Sequence, residues 1–275
     1  MPAKTVQPAS AAITAPTTGY APVNGLKLYY EIHGAGEPLI LLHGGVGSTG
    51  MFHDIIPPLC AIRQVIAVDL QAHGRTADID RPLRYELMAG DIAALLEYLK
   101  IDRADLMGYS LGAGVAIRTA IQHPGAVNKL VVVSTACKRD GWYPEIRAAM
   151  VDVGREKVEQ MKRSPMYQTY AGIAPRPEDW PVLFAKLGDL LRCEYDWSEE
   201  VANLVAPALL VFADADSISP SHMVEFFQLL GGGRKDGGWD GSGMSKARLA
   251  ILPGMTHYNI VSSPLLVTIA GAFLS

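Results

Sequence analysis

Short, uninterrupted apolar runs that stop at glycine or a polar residue recur along this 275-residue chain. They constrain its fold more than any other feature. They are GEPLILLHGG at residues 36–45, RQVIAVDLQAHG at 63–74, ADLMGYS at 104–110, VNKLVVVSTA at 127–136, APALLVFADAD at 206–216 and ARLAILPGMTH at 247–257. Runs of this length without alternation suit strands buried on both faces, as in a parallel sheet. One further stretch, GLKLYYEIHG at 25–34, alternates apolar and polar residues and reads as a half-exposed strand. Helical spacing fills the intervals at 86–101, 112–124, 221–230 and 263–274. Strands alternating with helices imply βαβ units: an α/β fold with a mostly parallel twisted sheet flanked by helices. Ligands of such sheets bind at the carboxyl ends of the strands, so chemistry is expected just after them.

The rhythm breaks between residues 138 and 205. That interval carries helical patterns at 144–164 and 177–191, and it holds Trp142, Trp180 and Trp197. It is expected to be a helical lid inserted into a core made of residues 21–137 and 206–275. Residues 1–20, rich in Ala, Pro and Thr, are expected to form a flexible or extended leader. GGGRKDGGWDGSGMSK at 231–246 is expected to be a long surface loop. It lacks the strand–GxGxxG–helix context and the lysine–serine pair of phosphate-binding loops.

Composition narrows the function. With 49% hydrophobic and 19% charged residues the chain can bury a sizeable core, and its net charge of −4 lacks the basic concentration that nucleic acid requires. No segment reaches the roughly 18 apolar residues of a membrane span. The N-terminus has no continuous apolar signal region. Three scattered cysteines, Cys60, Cys137 and Cys193, form neither a disulfide framework nor a metal spacing. A cytoplasmic location is expected on these grounds, and nothing in the sequence specifies an oligomeric state.

Gly108-Tyr109-Ser110-Leu111-Gly112 lies between a buried run and an apolar helix. A serine on a sharp strand-to-helix turn needs neighbours without bulk, and the turn lifts its hydroxyl above the sheet. Such a serine needs a base. Among seven histidines, His257 alone follows a late strand and comes after an acidic candidate. His43 suits orienting a glycine loop, and His53 and His222 read as surface positions. The acid that orients the base is expected at Asp216, with Asp214 holding the turn. Donors for an oxyanion are expected from the amides of Leu111, at the helix start, and Gly45. The substrate pocket is expected to draw on Val46, Tyr109, Trp142, Met150, Tyr170, Trp180 and Tyr258.

The order Ser110, Asp216, His257 and the glycine-flanked serine resemble the α/β-hydrolase superfamily, in its serine esterase and lipase-like branch with a helical cap. DLQAHGRT looks like the family's D-x-x-G-H-G-x-S loop, with Ala72 and Thr76 in place of glycine and serine. VFADADSISP resembles its acid turn, with Ala213 in the glycine place and Asp216 as the acid. Thr256 stands before His257, where the family usually has glycine. The resemblance implies an acyl-enzyme mechanism on Ser110 without metal or organic cofactor. It implies carboxylic esters or lactones of small to medium size as substrates. C–C bond hydrolysis, or a ligand-binding receptor that retains the triad, are the alternatives.

Overall fold

The computed structural model describes residues 15–154 and 158–275. Eight strands form one sheet: β1 (Thr17–Val23), β2 (Leu26–His33), β3 (Pro38–Leu42), β4 (Gln64–Val68), β5 (Ala104–Tyr109), β6 (Val127–Val133), β7 (Ala208–Ala215) and β8 (Ala247–Thr256). Their order is β1-β2-β4-β3-β5-β6-β7-β8. β1 pairs antiparallel with β2 and β2 antiparallel with β4, and every later pairing is parallel. Among the described residues ten α-helices accompany them: α1 (Ile56–Cys60), α2 (Tyr85–Tyr98), α3 (Leu111–Gln122), α4 (Pro144–Val151), α5 (Val158–Met161), α6 (Pro165–Ile173), α7 (Trp180–Arg192), α8 (Ser198–Ala202), α9 (Pro220–Leu229) and α10 (Pro264–Leu274).

The apolar runs are central strands because both their faces are covered. Leu39 and Leu41 enter one apolar cluster with α1 and α10, whereas Ile40 and Leu42 enter the other with α2 and α3. β5 is buried at every position. The expected α/β architecture is therefore present, with one strand more than the sequence reading assigned. That strand is β1. Residues 17–20 do not form a leader but pair with β2, Tyr20 opposite Tyr29. The turn between them is Asn24-Gly25, at φ 48° and 83°, a left-handed pair that favours a tight hairpin. Pro22 is tolerated because β1 is an edge strand. The rest of the expected leader, residues 1–14, lies outside the described residues.

Helices α4–α8 fall between β6 and β7. The insertion closes at its base, where Lys138 bridges Asp196 and the Trp197 amide donates to Cys137 O at 2.9 Å. The α8 helix, expected to belong to the insertion, packs instead against α3 and α9 of the core. Arg118 of α3 reaches Glu200 at 2.8 Å. Among the described residues no helix is long and apolar enough to cross a membrane.

Candidate active site

Four loops at the carboxyl ends of parallel strands converge above the sheet. Ser110 follows β5 directly, Asp216 follows β7, His257 follows β8, and Gly45 lies in the loop after β3. Ser110 adopts φ 53° and ψ −115°, in the left-handed half of the map that L-residues rarely enter. The backbone holds this conformation through the Ser110 amide, which donates to Val133 O at 2.9 Å. The flanking glycines are a steric requirement. A Cβ on Gly108 would collide with the backbone of Gly112 and Ala113, and one on Gly112 with the carbonyls of Leu42 and His43.

His257 Nε2 lies 3.1 Å from Ser110 Oγ, and its Nδ1 lies 3.0 Å from Asp216 Oδ1. A continuous hydrogen-bond chain runs from hydroxyl through imidazole to carboxylate. The Asp216 carboxylate is buried, which alone would raise its pKa. Hydrogen bonds from His257, from Ser134 Oγ at 2.6 Å and from the Ala213 amide at 2.9 Å outweigh burial and hold it below the usual range. The carboxylate is thus ionised at neutral pH and favours Nδ1–H on the imidazole. Tyr109 sits behind the ring: its hydroxyl donates to His257 O at 2.6 Å. Trp142 stands edge-on to the imidazole, 5.6 Å between ring centres, and its Nε1 donates to Tyr195 Oη at 2.9 Å.

Asp214, the other acidic candidate, faces elsewhere. Its carboxylate accepts from the amides of Gly254 and Met255 at 2.9 and 3.1 Å, fastening the turn that precedes His257. Thr256 is held by Asn259, whose Oδ1 accepts its amide at 2.7 Å.

The loop after β3 is shaped by buried histidines. His43 Nδ1 is 2.7 Å from Gly44 O and its Nε2 accepts the Leu70 amide at 3.1 Å, which fixes the proton on Nδ1. Burial lowers its pKa to about 3, with a further contribution from His73. The Leu111 amide, first in α3, is one of the donors a helix leaves without an internal partner. The loop after β3 runs beside the serine: a Cβ on Gly44 would stand 3.5 Å from Ser110 Cβ. The methyls of Leu187, from α7, stand 3.6 and 3.8 Å from where a Cβ on Gly45 would be and pack over this glycine. Beside it opens a cavity of about 340 Å³, between Val46–Met51 and one face of α6 carrying Pro165, Met166, Thr169, Tyr170 and Ile173.

Of the expected pocket residues, Val46 and Tyr170 line this cavity. Trp142, Tyr109 and Tyr258 instead contact His257, and Tyr258 is 76% exposed. Trp180 is not a pocket residue. It is fully buried in an aromatic cluster with Tyr167, Tyr170 and Phe184, because a residue of that volume fills the interior of the insertion. Met150 is half-buried against the main core and lines no part of the cavity. His222, expected at the surface, is buried, and its Nε2 accepts the Cys137 amide at 3.2 Å. Sequence reasoning missed α6, Ser134 and Leu187. For α6 a signal existed: Ser164 followed by Pro165, the serine accepting the Tyr167 amide at 3.3 Å as an N-cap. Ser134 and Leu187 had no such local signal.

A sheet of this order, with serine, acid and histidine at the ends of β5, β7 and β8, defines the α/β hydrolase class. The chain belongs to that family. The family's sequence pattern, described as the alpha/beta hydrolase fold, matches residues 37–163. The pimeloyl-[acyl-carrier protein] methyl ester esterase of Neisseria meningitidis is 30% identical over 209 residues, covering 69% of this chain and 79% of that protein. The putative carbamate hydrolase RutD of Azorhizobium caulinodans is 29% identical over 219 residues, covering 74% of this chain and 83% of that one. Among solved structures, E-2-(acetamidomethylene)succinate hydrolase superposes with a TM-score of 0.74 at 20% identity, over 94% of this chain and 99% of that chain, a likeness of fold.

Proposed function

We propose that this hydrolase cleaves carboxylic esters or lactones of small to medium size through an acyl-enzyme on Ser110. The observation that carries the reading is the unbroken chain Ser110 Oγ–His257–Asp216, with both links at 3.0–3.1 Å. Ser110 Oγ attacks the carbonyl as its proton passes to His257 Nε2, and the ionised Asp216 stabilises the imidazolium. The amides of Gly45 and Leu111 receive the charge that develops on the carbonyl oxygen. His257 returns the proton to the leaving alcohol, then activates water to release the acid. Helices α4–α7 act as the cap over this step.

The cavity adjoins the loop after β3 and has no triad residue in its lining; its apolar walls support a neutral ester. Its lining is Val46, Met51, Pro165, Met166 and Ile173 with hydroxyls from Ser48, Thr169 and Tyr170, and no charged side chain lines it among the described residues. C–C hydrolysis of a dienoate needs a cation for the substrate carboxylate, which this lining does not supply. A receptor with an idle triad is separated by turnover. p-Nitrophenyl esters of rising acyl length are to be assayed with wild type and Ser110→Ala. The expected result is turnover that falls by about a thousandfold or more in the variant. A wild type that neither turns over esters nor is labelled by a fluorophosphonate overturns the reading.

A further inference from the structure

A second cavity, of about 780 Å³, lies at the other end of the sheet, between the end of α9, the glycine-rich loop 231–246 and the first residues of β8. Arg248 lines it, and nine strand residues at roughly 3.3 Å each put it about 30 Å from His257. It is therefore separate from the catalytic site.

The loop around it has a defined shape. Gly231, Gly233, Gly238 and Gly241 all take φ between 63° and 86°, and a Cβ on Gly243 would strike the Asp236 carbonyl. Backbone hydrogen bonds close it on itself, the Gly243 amide donating to Gly237 O at 2.9 Å and the Gly232 amide to Phe227 O at 2.9 Å. Three cations line the cavity: Arg234, Lys235 and Arg248. Elsewhere Arg63, Arg81, Arg118 and Arg139 are matched to carboxylates. These three are not, among the described residues. The Arg248 guanidinium is held by the carbonyls of Ser245 and Ala247, and that of Arg234 touches only Gln228 O, at 3.4 Å. The nearby carboxylates turn back to their own loop, Asp236 to the Gly238 amide at 2.8 Å and Asp240 to the Ser242 amide at 3.0 Å. The cavity also exposes an apolar wall of Phe227, Met244 and Leu249.

Unneutralised guanidinium and ammonium groups beside an apolar wall recognise an anion that carries an apolar body. Guanidinium groups match phosphate oxygens in particular. We propose that this cavity binds an organic phosphate, with the phosphate between Arg234, Lys235 and Arg248 and the apolar part on Phe227 and Leu249. The sequence showed a glycine-rich loop here, and the fold closes it into a cavity with the flanking Phe227 and Arg248. The proposal is independent of the reaction at Ser110.

The test is calorimetric titration of the full chain with p-nitrophenyl phosphate and with pyrophosphate, and sedimentation with phosphatidylglycerol or phosphatidylcholine vesicles. Fluorescence supplies a second readout. Trp239 is fully exposed on this loop, while Trp142, Trp180 and Trp197 are buried. Saturable binding of p-nitrophenyl phosphate, tighter than that of pyrophosphate, weakened about tenfold or more in Arg234→Ala/Lys235→Ala and unchanged in Ser110→Ala, supports a free organic phosphate. Binding to phosphatidylglycerol vesicles alone, with the same sensitivity, supports a lipid headgroup as its source. Both replaced side chains are exposed loop positions outside the catalytic machinery. Thermal unfolding and ester turnover of the double variant are therefore expected to match wild type. No binding of any probe at about 10 mM phosphate overturns the proposal, as does binding that ignores the double substitution or that vanishes when Ser110 is covalently blocked.

Discussion

Ser110 illustrates how one residue's backbone dictates its neighbours. Its positive φ carries a strain of about 1–3 kcal/mol, which the surrounding packing sustains. Gly112→Ala should then lose about 2–3 kcal/mol of stability, read from urea unfolding, because the new methyl meets main chain that cannot move aside. Ala72 runs the other way. It holds φ 65° at a position where the resemblance leads one to expect glycine. Ala72→Gly should raise stability by about 0.5–1 kcal/mol, seen as a higher melting temperature. Protonation acts at this scale too. Burial lowers His43 to about 3 and His73 to about 4, from 6.5, so their contribution is complete above pH 6.5 and is lost as pH falls towards those values. Asp69, raised by burial from 3.8 to about 6, opposes them: its contribution is lost as pH rises through 6. Two histidines outweigh one aspartate, at about 1.4 kcal/mol per pH unit each. Urea midpoints should therefore fall between pH 6.5 and 4.5, and His73→Asn should flatten that slope.

At the scale of elements, local pattern and tertiary packing part company. The central strands were legible because burial on both faces demands an unbroken apolar run. β1 was not, since only Ala21 and Val23 of its seven residues are fully buried and the rest resemble a coil. Its Asn24-Gly25 turn was the overlooked sign. The helical pattern of 144–164 divides into α4 and α5, and the next helix, α6, carries the cavity wall. The turn before His257 depends on Asp214, whose carboxylate is held below the usual range chiefly by the Gly254 amide and also by that of Met255. Asp214→Asn leaves one of these amides without its charged acceptor. It should lower kcat on the best p-nitrophenyl ester by about tenfold, with KM and melting temperature little changed. An unchanged kcat would mean that the turn holds itself.

Across the whole molecule, Lys186 and Arg176 tie the insertion to the segment between β4 and α2. Lys186 Nζ of α7 donates to Asp78 Oδ2 and Ile79 O at 2.6 Å and to Arg81 O at 2.8 Å, while Arg176 donates to Asp78 O at 2.6 Å. The segment 78–81 therefore acts as the latch between α7 and the sheet. Lys186→Met should cost about 1.5–3 kcal/mol of stability and raise KM more than it lowers kcat, because the packing over Gly45 loosens while the Ser110–His257–Asp216 chain stays whole. Steady-state kinetics beside thermal unfolding checks both parts.

The sequence by itself determined the parallel sheet, the serine turn and the order of serine, acid and histidine. Strand burial and turn sterics are written in residues a few positions apart. Only the tertiary structure decided that Leu187 packs over Gly45, that Ser134 supports Asp216, that Trp180 fills the insertion rather than the pocket, and that Arg248 joins Arg234 and Lys235. The first two pair residues 82 or more positions apart, Leu187 with Gly45 and Ser134 with Asp216. Which of two buried faces meets which partner depends on packing that no local pattern encodes.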